Sequence, residues 1–153
     1  MTEDQHPDLG SISGRLQLAA PADPEIIDLL HSLIDQLWQR HPDVSEADRI
    51  RFELAAVEVL GKIVEHAYAL DVAHPERQRR FDVTLAVTPT ELLAAFGDNG
   101  LPMELDLSKA VMPAALEESG RGLAMASAAL DDLAYFRVEG RNHWRLQCVR
   151  GTD

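Results

Sequence analysis

The stretch from Ser45 to about Leu70 constrains this chain more than any other, because it reads as one long helix that is apolar over most of its circumference. Ser45 is a good helix cap, and Asp48 three residues on gives a weaker form of the reciprocal capping pattern. At about 100° per residue, Ile50, Leu54, Val57, Val64 and Tyr68 fall into one stripe; Phe52, Ala56, Val59, Ile63 and Ala67 fall into a second. Such a helix is expected to be packed on more than one side. What stays polar is a narrow line of Glu58, Lys62 and Glu65, flanked by Gly61. Glu58 four residues before Lys62 is the favoured order for an intrahelical ion pair worth about 0.2–0.5 kcal/mol. The alternative is a line that faces a cleft, where a ligand supplies the partners that half-buried charges require.

Shorter elements surround this helix. Gly14 to Ala19 alternates as a strand; Asp23 and Pro24 then cap a helix whose apolar positions are Ile26, Leu29, Leu30, Ile34 and Leu37, ending near Arg40. Residues 71–79 form a polar loop. Arg80 to Val87 and Glu91 to Phe96 read as a hairpin turning at Thr88-Pro89-Thr90. Residues 103–119 have no clean period and read as a long mobile loop. Gly120-Arg121-Gly122 opens a helix over Leu123 to Leu130, and Leu133 to Val138 and His143 to Val149 are closing strands. The order β-α-α-β-β-loop-α-β-β predicts an α+β, two-layer sandwich: a mainly antiparallel, mixed sheet covered on one face by helices. With 153 residues, the chain has room for one core, taken as residues 12–150 behind a flexible leader over 1–11.

Charge and cysteine usage remove whole classes of function. A formal net charge of −12 repels phosphate backbones, so no direct nucleic-acid partner is expected. No apolar run approaches a membrane span, and Met1 to Pro7 lacks the basic start and apolar stretch of a signal peptide, so a cytoplasmic setting is expected. Cys148 is the one cysteine and lies in an alternating apolar stretch, which predicts a small buried residue rather than a reactive thiol. The histidines show no metal-ligand spacing, so no metal site is predicted.

Two further clusters join the polar line. Asp98-Asn99-Gly100 ends a strand. It is a turn by composition, and also a place where a carboxylate can accept a hydrogen bond from an amine such as that of adenine. Gly120-Arg121-Gly122 sits at a helix start, where backbone amides and the positive end of the helix favour a phosphate and Arg121 adds a charged donor. No Walker motif or GxGxxG is present.

In this order, the clusters resemble the GHKL (histidine kinase-like) ATPase superfamily, and most closely its anti-sigma-factor serine/threonine-protein kinase branch. Residues 53–68, ELAAVEVLGKIVEHAY, are similar to that branch's helical pattern; Asp98, Gly100 and Pro102 fall on its DxGxP turn, and Gly120-Arg121-Gly122-Leu123 on its glycine-rich helix start. Leu130 to Gly140 is similar to its closing segment, so the likeness spans roughly residues 12–150. His66, within the helical pattern, reads as a packed core histidine. The resemblance implies the histidine kinase-like ATPase fold, ATP or ADP as ligand, and Glu58 as general base toward an acceptor serine. It further implies Asp98 and Gly100 at the base, Gly120, Arg121 and Gly122 at the phosphates, and residues 103–119 as a lid. It also implies a sigma factor and an anti-anti-sigma factor as partners, and a homodimer.

One departure stands out. Where the family has the asparagine that anchors magnesium, this chain has Lys62, and an ammonium has only donors, so it cannot ligate a cation. Lys62 can instead touch phosphates directly, at the cost of the metal's bridging geometry. The family often has a threonine on the last strand near the phosphates, and His143 and Trp144 are the nearest residues here. Three readings follow: an active serine kinase, a module of the same fold that acts by protein sequestration with nucleotide setting its conformation, or a scaffold that has lost nucleotide binding and is closed by a Glu58–Lys62 pair.

Overall fold

The structure, a computed structural model, describes residues 9–73, 79–100, 102 and 118–151. Three helices, α1 (Ile26–Arg40), α2 (Glu46–Ala73) and α3 (Glu118–Ala129), cover one face of a five-stranded sheet. The strands are β1 (Leu16–Pro21), β2 (Arg80–Val87), β3 (Glu91–Asp98), β4 (Asp132–Val138) and β5 (Arg141–Val149), in the order β1-β2-β3-β5-β4. This is the two-layer α+β architecture expected from the sequence. The parallel component implied by a mixed sheet is missing among the described residues, where each of the four strand pairs is antiparallel.

Local chemistry accounts for the element starts. Asp23 does not cap α1 as expected: the cap position is Glu25, without a side-chain bond, and Asp23 Oδ1 accepts the Glu25 N–H at 2.9 Å in the turn before it. Ser45 Oγ accepts the Asp48 N–H at 3.2 Å, so Ser45 caps α2 as the sequence predicts. The β4–β5 connection is tighter than the four-residue link expected. Glu139 and Gly140 both take positive φ, at 52° and 78°, and Val138 pairs directly with Arg141. Two left-handed residues in a two-residue loop match the twist of the flanking strands.

The core lies between sheet and helices. Leu30, Ile34 and Leu37 of α1 and Phe52, Leu60 and Ile63 of α2 are fully buried against Phe81, Leu85, Phe96, Trp144 and Leu146. The second apolar stripe of α2 therefore packs as expected at Phe52, Ala56, Val59 and Ile63, the side chain of Ala67 lying outside the described residues. The first packs only in part: Val64 is buried and Val57 lies against the core, whereas Ile50 and Leu54 are 62% and 38% exposed. Where β2 and β3 meet at the Thr88 turn, the sheet is buried on both faces. On the face opposite the helices, a 3-10 turn at Leu9–Ser11, within the expected leader, packs Leu9 on Ala86 and Leu93. No described helix is long and apolar enough to cross a membrane.

At the end of the molecule where α2 begins, one guanidinium ties three elements together. Arg51 donates to Asp48, to the Ala129 carbonyl at the end of α3, to Asp131 and to the Val149 carbonyl of β5. The helices α2 and α3 run antiparallel. Their other contact end, near Gly122, belongs to the candidate site.

Candidate functional site

Asp98 is the last residue of β3 and is only 4% exposed. The turn after it is bolted to the start of β2. Asn99 Oδ1 accepts the Arg80 N–H at 2.9 Å, and the Asn99 carbonyl accepts from Arg79 at 3.1 Å. Asp98 Oδ1 accepts two hydrogen bonds, from the Gly100 N–H at 2.8 Å and from Asn142 Nδ2 at 2.9 Å. Asp98 Oδ2 is enclosed and has no hydrogen-bond partner among the described residues. An enclosed carboxylate oxygen without a donor is costly, on the order of 1–3 kcal/mol or more. Such an atom is suited to an amine of a ligand.

Gly100 has no room for a side chain. A Cβ there would stand 2.8 Å from Asp98 Oδ1, 3.7 Å from His66 Cδ2 and 3.8 Å from Asn142 Nδ2. Strand β3, strand β5 and helix α2 thus meet at this turn. His66, read from sequence as a packed core residue, is only partly buried and borders Gly100.

Eight residues earlier on α2, about 12 Å along the axis, Glu58 reaches the start of α3. A Cβ on Gly122 would lie 2.5 Å from Glu58 Oε2 and 3.5 Å from Glu58 Cδ, so the missing side chain at 122 is what admits the carboxylate. The glycine-rich stretch does not precede α3 as expected. The helix begins at Glu118, which puts Gly120, Arg121 and Gly122 inside its first turns. By helical geometry the Gly122 N–H then bonds the Glu118 carbonyl, so among the described residues the amides with no helical partner lie before Gly122. Of the lid expected over residues 103–119, Glu118 and Ser119 instead open α3, and residues 103–117 lie outside the described residues, as does the side chain of Arg121.

Lys62 lies one turn beyond Glu58 and is mostly buried, at 18% exposure of its side chain. Its ammonium approaches Glu65 Oε1 at 4.0 Å, while the Glu58–Lys62 pair anticipated from spacing is not formed among the described residues. Since Glu65 is 71% exposed, this contact holds the ammonium only weakly.

The last strand faces the site with a residue that the sequence reading passed over. Asn142 is fully buried and stands opposite Asp98 in the β3–β5 register. Tyr135 Oη at 2.6 Å and Arg137 Nη1 at 2.9 Å both meet its Oδ1. His143 points to the opposite face of the sheet. There it stacks on Phe136 at 5.2 Å, and burial together with the neighbouring Arg141 and Arg145 lowers its pKa. Trp144 is core, paired with Tyr135 at 4.8 Å. The only advance signal for Asn142 was the Glu139-Gly140 turn, which fixes its pairing with Arg137. Its alignment with Asp98 depends on a contact between residues 44 positions apart.

Comparisons with known proteins bear on the fold that carries these residues. The family model described as "Histidine kinase-like ATPase domain" matches residues 20–148, which reach from β1 to β5. The crystal structure of the RsbU and RsbW domains of a Mycobacterium tuberculosis protein is similar at TM-score 0.62 and 18% identity. That match covers 91% of this chain and 33% of the other, so the chain spans about a third of its length, and the likeness speaks for the fold. No curated protein matches the chain. With most of its length inside one family model and the corresponding sheet and helices in place, the chain belongs to the histidine kinase-like ATPase domain family.

Proposed function

We propose that this chain is an ATP-binding regulator of the anti-sigma-factor type, acting as a serine-protein kinase on an anti-anti-sigma factor. The observation that carries this reading is Asp98: a carboxylate 4% exposed, with one oxygen saturated and the other enclosed without a donor. Membership in an ATPase domain family implies an adenine nucleotide, whose exocyclic amine is a donor of the missing kind. Gly100, bare of a side chain, lets the flat base approach the backbone.

Bound ATP would supply the phosphoryl group. Glu58 would accept the hydroxyl proton of the acceptor serine, as a carboxylate at the helix start beside Gly122. The unpaired amides of the first turn of α3, with Gly120 among them, would favour the phosphates, and Arg121 would add a charge-assisted contact. The partners in this reading are a sigma factor and an anti-anti-sigma factor, with a second copy of the chain completing a dimer in the cytoplasm.

Lys62 favours a second reading, a module that acts by protein sequestration without phosphoryl transfer. Its ammonium stands where the family's metal-anchoring asparagine would be and offers no lone pair to a cation. Nucleotide titration with and without magnesium, on wild type and Lys62→Asn, separates the two, together with labelling of a partner serine. The kinase reading predicts magnesium-dependent binding and labelling that Glu58→Ala abolishes while binding survives. Tight binding indifferent to magnesium, with no labelling, supports sequestration instead.

A further inference from the structure

Behind Asp98, the last two strands supply a second layer of side chains whose hydrogen bonds have only one consistent polarity. Arg137 Nη1 meets one end of the Asn142 amide at 2.9 Å, and a guanidinium can only donate, so that end is the carbonyl oxygen. Tyr135 Oη donates to the same oxygen at 2.6 Å. The opposite end, Nδ2, is therefore obliged to donate to Asp98 Oδ1, which it meets at 2.9 Å. The Gly100 N–H donates to that oxygen too, at 2.8 Å. Arg137 also donates to the Gly100 carbonyl at 3.0 Å, so one guanidinium fixes both the amide of Asn142 and the turn.

The consequence concerns residue 98. Two fixed donors occupy the position of its Oδ1, so the atom there must be an acceptor. Whatever chemistry remains is presented by the atom at the Oδ2 position, which has no partner among the described residues. With aspartate, that atom is an acceptor.

We propose that Tyr135, Arg137 and Asn142 are positioning residues that set the base preference of the pocket. Acting through Asp98, they select a purine bearing a 6-amino group over one bearing a 6-oxo group. The inference rests on the nucleotide reading above and adds to it the residues that enforce base choice. It has an unusual consequence for Asp98→Asn. The relay would force the new amide to put its oxygen inward, toward Gly100 and Asn142, and its NH2 outward, toward the ligand. The preference should then invert rather than merely weaken.

The test is calorimetric titration of ADP and of inosine diphosphate into the wild type, Asp98→Asn and Asp98→Asn/Arg137→Met, each checked for folding by circular dichroism. Wild type is expected to favour ADP by about 10- to 100-fold, the worth of one hydrogen bond to a charged group. Asp98→Asn is expected to favour inosine diphosphate. Removal of the Arg137 donors should release the Asn142 amide and cut that inverted preference several-fold, an effect on a ratio that simple loss of stability does not produce. An Asp98→Asn protein that still favours ADP, or binds neither ligand while wild type binds ADP, overturns the relay and leaves the nucleotide site standing. Equal affinity of wild type for the two ligands does the same. Failure of the wild type to bind either overturns the nucleotide reading and the relay with it.

Discussion

Replacing Gly122 with alanine should separate stability from function, because its two effects act on different parts of the molecule. A Cβ at this position would lie 2.5 Å from Glu58 Oε2. Ordinary van der Waals contact needs roughly 3.4 Å or more, so the carboxylate must retreat by about 1 Å. The obstacle is the far end of a flexible side chain, and a rotamer shift of that kind costs about 0.5–1.5 kcal/mol. Against it stands the preference of a helix for alanine over glycine, about 1 kcal/mol at an interior position such as this one in α3. The two nearly cancel. Thermal unfolding should therefore move by no more than about 4 °C in either direction. Glu58, however, would no longer stand where the proposed proton transfer needs it, and a displacement near 1 Å can cost on the order of 100-fold in rate. The assay pairs calorimetric melting with labelling of an acceptor serine by ATP. A melting temperature lowered by more than about 8 °C would refute the claim that the carboxylate yields cheaply. Labelling at the wild-type rate would refute the claim that its place beside Gly122 matters.

Gly100→Ala should behave differently, since its Cβ would meet Asp98 Oδ1 at 2.8 Å and that atom is held by two hydrogen bonds; urea unfolding should show a loss of about 1–3 kcal/mol. Asp48 carries an acid-side prediction. Burial acts to raise its pKa, but hydrogen bonds from the Gly151 N–H, Ser45 and Arg51 outweigh this and hold it below the ordinary 3.8. The folded-state value is depressed, so its stabilisation is complete above the unfolded-state value and is lost as pH falls below 3.8 through the folded-state value. Urea unfolding from pH 6 to pH 2 should show that loss, and Asp48→Asn should remove this part of the slope. Burial pushes the Cys148 thiol up to about 11 despite the nearby Arg51, so the native protein should resist alkylation at pH 8 and react only after unfolding.

The elements were legible where their signals are local. The strand at Arg80–Val87, the cap at Ser45 and the buried stripe through Phe52, Val59 and Ile63 follow from alternation, side-chain chemistry and helical spacing. The start of α3 was misread because glycines suggest a loop, whereas Gly120 and Gly122 lie inside the helix and the second makes room for Glu58. The apolar stripe through Ile50 and Leu54 misled for another reason. Periodicity shows that residues share a face, not that the face has a neighbour, and these two stay exposed. In the candidate site, Glu58, Asp98 and Gly100 could be named because they sit in contiguous motifs. Asn142, Tyr135 and Arg137 could not, since their connection to Asp98 is made only by the register of β5 against β3.

Calorimetric titration of ADP into the wild type and Asp98→Ala tests the central claim most directly. The account predicts saturable binding, one nucleotide per chain, to the wild type, and its loss in a folded Asp98→Ala protein. Absence of binding to the wild type, or undiminished affinity once the carboxylate is gone, would contradict it.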